Sequence, residues 1–290
     1  MKPSSLEKAK SEIAHFFELG QKDVFDIREM SNILLFNRDK WKIAKSTSFK
    51  RFISFITTQK VLAQADFAFP NRRYRRFLSH SPSILSILST LDSRAYFSHY
   101  TSMHIHELTE QIPKTIFLNI EQSPKKMGLI NLSQERIDNA FRLPWRVSKN
   151  IAKYQDYTVF ILNGKFTDNL GTIKYKEKDG AEITFTDLER TLIDIAVRPV
   201  YAGGVFEVLK AYRASVKNVD IKKIISYLEI LKYIYPYHQV VGFFLEKSGF
   251  PGSEIKDLER LGLVYDFYIT HEMRNMAYSK KWRLYYPEGF

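Results

Sequence analysis

From Ser46 to Gln59 the chain places Phe49, Phe52, Ile53 and Ile56 at spacings i, i+3, i+4 and i+7, one continuous apolar stripe. That period predicts an amphipathic helix packed along one side. The opposite face carries Thr47, Lys50, Arg51, Ser54 and Thr58, so the same helix turns short polar and cationic groups outward. The segment after this helix narrows the fold further. Val61 to Phe69 alternates well enough for a strand, Pro70–Asn71 is a turn signal, and Arg72 to Leu78 can return as a second strand. Two earlier segments read as helices. Ser5 to Leu19 sets Leu6, Ile13, Phe16 and Phe17 on one face and stops at Gly20; Asp26 to Asn37 sets Ile27, Met30, Ile33 and Leu34 inward. Three helices and then a β-hairpin is the order of a winged helix, a helix-turn-helix variant.

The charge is distributed in keeping with that order. The 290-residue chain holds 44 Lys+Arg against 32 Asp+Glu, a net of +12. Residues 1–80 hold 16 basic and 8 acidic residues, and residues 40–76 hold ten basic residues and one acid, Asp66. A footprint this local argues for a polyanion-binding surface rather than for general solubility. A recognition helix packs apolar residues inward while short polar and basic side chains face the major groove. Thr47, Ser48, Lys50, Arg51 and Ser54 fit that demand. The turn run Asn71, Arg72, Arg73, Arg75 and Arg76 would set cations beside phosphates or into the minor groove. Double-stranded DNA is the expected partner. The competing reading is a solvated basic face on a protein-binding winged helix.

Ser81–Pro82–Ser83 is a polar break, which predicts a winged-helix domain over 1–80 and a second domain over 81–290. The second part reads as mixed α and β, making the whole chain α+β. Helices are expected over Ile84–Leu91, Ser98–Leu108, Val205–Ala214, Ile221–Leu231, Val240–Ser248 and Glu254–Leu261. Strands are expected at Lys114–Asn119, Thr158–Leu162, Phe267–Thr270 and Trp282–Tyr286, with a hairpin of Thr172–Glu177 and Ala181–Phe185 around Asp179–Gly180. A helix from Asp187, capped by Thr186 with Glu189 completing a capping box, buries Leu188, Leu192, Ile195 and Ala196 and ends at Arg198–Pro199.

Several chemistries find no support. The chain has no Cys, which removes disulfides, zinc–thiolate sites and thiol nucleophiles. The first 19 residues lack an apolar signal core, and no stretch reaches the roughly 18 apolar residues of a membrane span, so a soluble cytoplasmic protein is expected. His99, His104 and His106 have poor spacing for a metal, and packing histidines are the better reading. In LERTLID, Arg190 and Asp194 form an i,i+4 ion pair. Gly203–Gly204 lacks the spacing of a phosphate loop, and there is no GxSxG elbow. No cofactor, metal or enzymatic activity is expected. The run Tyr233 to His238 could stack bases, though packing between a helix and a loop is the simpler reading. Two alternatives stay open: a nuclease-like enzyme using Asp168, Glu177 and Asp187, and a transcription factor whose second domain senses a ligand.

Four stretches carry a family resemblance: SHYTSMHIHELTEQIPKTIFLN (98–119), TDLERTLIDIAVRPVYAGGV (186–205), YIYPYHQVVGFFLEKSGF (233–250) and the terminal YDFYITHEM…WRLYYPEGF. In that order they resemble the AbiEi family, the antitoxins and transcriptional regulators of type IV toxin–antitoxin systems. Glu107 stands where the family usually has glycine, and Met103 where small residues are common. The resemblance implies an N-terminal domain that binds inverted repeats upstream of its own operon and represses it. It also implies a C-terminal antitoxin domain that counters an AbiEii-like nucleotidyltransferase toxin, without requiring a stable complex.

Overall fold

The computed structural model describes residues 3–124, 131–177 and 180–290. The chain divides into two compact units. One comprises Met1–Ser93 with two short returns, Ile151–Asp156 and Lys176–Ile183; the other comprises Arg94–Asn150, Tyr157–Tyr175 and Thr184–Phe290.

The first unit opens with α1 (Ser5–Glu18), β1 (Val24–Phe25), α2 (Ile27–Asn37), α3 (Phe49–Thr58), β2 (Ala63–Phe69), β3 (Arg72–Leu78) and α4 (Ile84–Ser89). The helix starts are set by their caps. Ser4 and Glu7 form a capping box on α1, Asp26 and Glu29 form one on α2 at 2.8 Å in both directions, and Ser48 accepts from the Arg51 amide on α3. Such caps contribute about 1 kcal/mol each. The cap also places α3 later than the periodicity alone suggests, at Phe49 rather than Ser46. The α3 stripe packs as expected, with Phe52 and Ile56 fully buried and Trp41 stacked on Phe52 at 6.2 Å. Ile27 is 47% exposed rather than inward, because it is the first residue after the Asp26 cap. Phe16 is half-exposed and packs edge-on against Phe17 and Trp41. β1, which has no counterpart among the strands expected from sequence, pairs antiparallel with β3 (Val24↔Leu78), giving a sheet of order β1-β3-β2.

After α4 come β4 (Tyr96–Phe97), α5 (His99–Ile105), β5 (Thr115–Glu121), α6 (Gln134–Arg142), β6 (Ile151–Tyr154, in the first unit), β7 (Tyr157–Gly164), β8 (Thr172–Lys176) and β9 (Glu182–Thr186). In the second unit β5 is central. It runs parallel to β7 (Thr115↔Thr158 through Glu121↔Gly164) and antiparallel to β4 (Tyr96↔Asn119), which is parallel to β9 (Phe97↔Phe185). β8 lies beside β9. The turn residue Asp179 of that hairpin lies outside the described residues. Helices α7 (Leu188–Val197), α8 (Val205–Ser215), α9 (Ile221–Leu231), α10 (Tyr237–Lys247) and α11 (Gly252–Glu259) come next. The small sheet β10-β12-β11 is built from β10 (Phe267–Tyr268), β11 (Met276–Ser279) and β12 (Leu284–Pro287).

α7 is the centre of this unit: every residue from Glu189 to Val197 is buried. Its cap is Asp187, not Thr186, with the Asp187 carboxylate accepting from the Arg190 amide at 2.8 Å. The Thr186 hydroxyl pairs with Thr191 instead, and Glu189 accepts from the Asp220 amide and from Lys223 rather than closing a capping box.

Helix α10 crosses Trp282 at Gly242. A Cβ there would lie 2.2 and 2.3 Å from two atoms of the fully buried indole. Gly242→Ala is therefore expected to lower stability by about 2 kcal/mol. Overpacking near the upper end of its usual ~1–3 kcal/mol range outweighs the ~1 kcal/mol that alanine adds to a helix. Urea denaturation checks it; unchanged stability would mean that Trp282 can move aside. Among the described residues no helix is long and apolar enough to cross a membrane.

Candidate nucleic-acid interface

The outer face of α3 is presented by a fixed turn. Arg38 donates to the carbonyls of Ala44 (2.7 Å) and Thr47 (3.0 Å), and the Ser5 hydroxyl accepts from the Ala44 amide at 3.1 Å. Three guanidinium and hydroxyl contacts thus hold the α2–α3 connection from both ends. Arg38 has this role because it ends α2 with its long side chain lying back over the turn, a use that the basic run 38–45 does not reveal by itself. On α3 beyond the turn, Lys50, Arg51 and Ser54 are exposed. The Lys50 and Arg51 side chains make no ion pair or hydrogen bond to any described residue, so both charges are available to an anion.

Two of the residues expected on this face behave differently. Thr47 is buried, 5% exposed, because the turn that Arg38 clamps draws it inward ahead of the helix. Ser48 is exposed, but its oxygen is engaged in capping α3.

The hairpin has a two-residue turn, Pro70–Asn71, between the paired residues Phe69 and Arg72. Ala65, Phe67, Phe69 and Tyr74 point inward, leaving Arg73 and Arg75 outward by the two-residue period of a strand. The four arginines then differ. Arg73 is exposed and has no partner among the described residues, and Asn71 is exposed beside it. Arg72 sets its guanidinium over the Tyr74 ring at 4.6 Å and stays exposed. Arg75 donates to its cross-strand neighbour Asp66 at 2.7 Å. Both are about half exposed, so the pair contributes little to stability and mainly offsets one positive charge. Arg76 is buried and donates to Thr90 Oγ1 (2.8 Å) and the Thr90 carbonyl (2.6 Å). It is a structural residue of the first unit and not a turn cation. The available cations are Lys50, Arg51, Arg72 and Arg73.

The histidines go to separate partners. His99 Nδ1 meets Ser98 Oγ at 2.8 Å, His106 Nε2 meets the Thr186 carbonyl at 2.8 Å, and His104 Nδ1 is buried without a hydrogen-bond partner among the described residues. Of the three acids considered for catalysis, Asp187 caps α7 and binds Tyr227 and Lys223, Glu177 is held by Ser83, and Asp168 is exposed. Among the described residues no group of three or more His, Cys, Asp or Glu is placed to hold a metal ion.

No family model matches the chain, and no curated protein matches it in sequence. Its fold is similar to that in the crystal structure of the RV2827C protein from Mycobacterium tuberculosis. The match covers 98% of this chain and 92% of that one, with a TM-score of 0.63 and 11% sequence identity. At that identity the likeness is one of fold, a mixed α and β architecture spanning nearly the whole chain.

Proposed function

We propose that this chain is a DNA-binding regulator whose first unit is a winged helix, and that it acts as the antitoxin of a type IV toxin–antitoxin pair. The observation that carries the first half is the pairing of an apolar-backed helix, α3, with an outward face of cations that make no ion pair among the described residues. Lys50 and Arg51 stand on α3 and Arg72 and Arg73 on the hairpin after it, in the element order α1-β1-α2-α3-β2-β3. In this reading α3 enters the major groove, Lys50, Arg51 and Ser54 contact its edges and flanking phosphates, and the hairpin tip contacts the adjacent backbone. The second half rests on the AbiEi resemblance of the four stretches in the second unit. It names an AbiEii-like nucleotidyltransferase as the functional partner, with or without direct contact.

The first half is tested by mobility shift on the DNA upstream of the protein's own operon, across a salt series. Lys50→Ala/Arg51→Ala and Arg72→Ala/Arg73→Ala are each expected to weaken binding about tenfold or more, and to flatten the salt dependence by about two phosphate contacts. Arg75→Ala is expected to cost less, because Asp66 already offsets that charge. Equal binding to random DNA, or no effect of both pairs, would leave the face a non-specific or protein-binding surface. The antitoxin half is tested separately by co-expression with the neighbouring toxin, where continued growth arrest would remove it.

A further inference from the structure

Stretches far apart in the sequence close one cleft of about 880 Å³ within the second unit. The start of α5 supplies His99, and β5 supplies Asn119. α7 and the turn after it supply Arg190, Asp194, Arg198 and Tyr201, and the α9–α10 connection supplies Lys232, Tyr233 and Tyr235. A cleft of this size is in the range that takes a drug-sized ligand.

Its charge is one-sided. Arg146, Lys165, Arg190, Arg198 and Lys232 line it against a single carboxylate, Asp194. That carboxylate is already engaged, since Arg190 Nε donates to it at 2.8 Å within a buried pair. The other cations pair with no acid among the described residues. Lys165 donates to the carbonyls of Leu231 and Lys232, and Arg198 reaches only the Arg146 carbonyl at 3.4 Å while lying over the Trp145 ring at 5.4 Å. The side chains of Arg146 and Lys232 are exposed and make no ion pair or hydrogen bond to any described residue. The surplus acts back on the groups inside the cleft. Burial and then the Arg190 charge draw the Lys165 pKa down.

A second observation is independent of charge. Asn119 is 4% exposed and lines the cleft, yet its amide makes no hydrogen bond to any described residue. The amide opens to the cleft, where a ligand supplying both a donor and an acceptor would meet both of its ends. Gly164 on the neighbouring strand leaves room for it there, since a Cβ at that position would lie 2.5 Å from Asn119 Oδ1. The remaining wall is aromatic: Phe166 is 42% exposed, and Tyr233 and Tyr235 are half-buried.

We propose that this cleft binds a phosphate monoester carrying a planar heterocycle, of the size of a nucleoside monophosphate. Guanidinium forks at Arg146 and Arg198, with the Lys232 ammonium, match the fixed geometry and double charge of a phosphate better than a single carboxylate would. The Asn119 amide matches the donor–acceptor edge of a heterocycle, and the aromatic wall its faces. Recognition of this ligand does not depend on DNA binding by the first unit.

The test is isothermal titration calorimetry of the full-length protein with AMP, GMP, CMP and UMP, beside the four nucleosides and inorganic phosphate. At least one nucleotide is expected to bind with micromolar affinity, about tenfold or more tighter than its nucleoside or phosphate alone. That affinity is expected to fall about tenfold in Arg146→Ala and in Lys232→Ala, two exposed positions where alanine leaves the fold intact, and further in Asn119→Ala. The proposal is overturned if no nucleotide binds more tightly than about 1 mM, or if the affinity is unchanged in both exposed variants. Phosphate binding as tightly as the nucleotides would reduce the site to a plain anion site. A 5′-phosphorylated RNA oligomer binding where no mononucleotide does would replace the small ligand by a strand end.

Discussion

Arg190→Met is expected to lower folding stability by about 3–5 kcal/mol, the usual cost of removing one partner from a buried ion pair. Arg190 and Asp194 are 6% and 9% exposed in their side chains and meet at 2.8 Å one helical turn apart on the central helix α7. Burial works against the Arg190 charge, and the adjacent Asp194 carboxylate together with Tyr233 and Tyr96 more than compensates, so the guanidinium is held charged. The guanidinium also donates to the Leu170 carbonyl at 2.7 Å and Thr167 Oγ1 at 3.3 Å, tying α7 to the segment after β7. Methionine fills much of the volume and supplies none of this, leaving the Asp194 carboxylate without its ion-pair partner at a position only 9% exposed. The double variant Arg190→Met/Asp194→Leu removes both charges, and is expected to recover more than half of the loss. Urea denaturation of the two variants reads this directly. If Arg190→Met loses less than about 1 kcal/mol, the pair is not what secures α7, and Arg198 or His99 must be compensating Asp194 instead.

That pair illustrates which parts of this molecule can be read from its sequence. The i,i+4 spacing of Arg190 and Asp194 shows the contact, because helical geometry is local. It does not show that the contact is buried: periodicity turns only Leu188, Leu192, Ile195 and Ala196 inward, and partners distant in sequence bury Glu189, Arg190 and Asp194 as well. The same division holds elsewhere. β3 (Arg72–Leu78) and α9 (Ile221–Leu231) agree with the sequence reading to the residue, since a turn or cap bounds each of them. Helix α6 is absent from it, because its inward side is only Ile137 and Phe141 in an otherwise polar segment. β11 is absent because its pairing with β12 is not a local property. On the basic face, periodicity correctly turns Lys50, Arg51 and Ser54 outward. It cannot reveal that Asp66 offsets Arg75 or that Thr90 takes in Arg76, as both partners are set by register and tertiary packing. The cleft is the least legible feature: Asn119 reads as one more strand residue until the fold sets it in one lining with Arg190 and Asp194 of α7.

The titration of His99 gives the second large effect, a loss of stability of about 3 kcal/mol between pH 6.5 and pH 4. The imidazole is almost wholly buried at the start of α5, with its Nδ1 against Ser98 Oγ. Burial is the main cause that pushes its pKa down from 6.5 to about 4; Asp194 opposes the shift, while Arg198 and Arg190 add to it. The unfolded chain therefore takes up a proton near pH 6.5, and the folded chain does so only near pH 4. Stability from the neutral ring is fully present above pH 6.5, is lost as the pH falls toward 4, and levels off below that. Burial also lowers the pKa of His238 and His271, so a smaller slope of the same sign is expected from them. His99 has a left-handed backbone (φ +53°), and asparagine tolerates that conformation without bringing a titrating group. Denaturation of the natural protein and of His99→Asn at half-unit steps from pH 7.5 to 4 separates the contributions. The variant is expected to keep only the residual slope. Parallel curves for the two proteins would mean that His99 takes up its proton at the same pH in the folded as in the unfolded chain, with Asp194 offsetting burial and both arginines, and the cleft would then carry one more positive charge in mild acid.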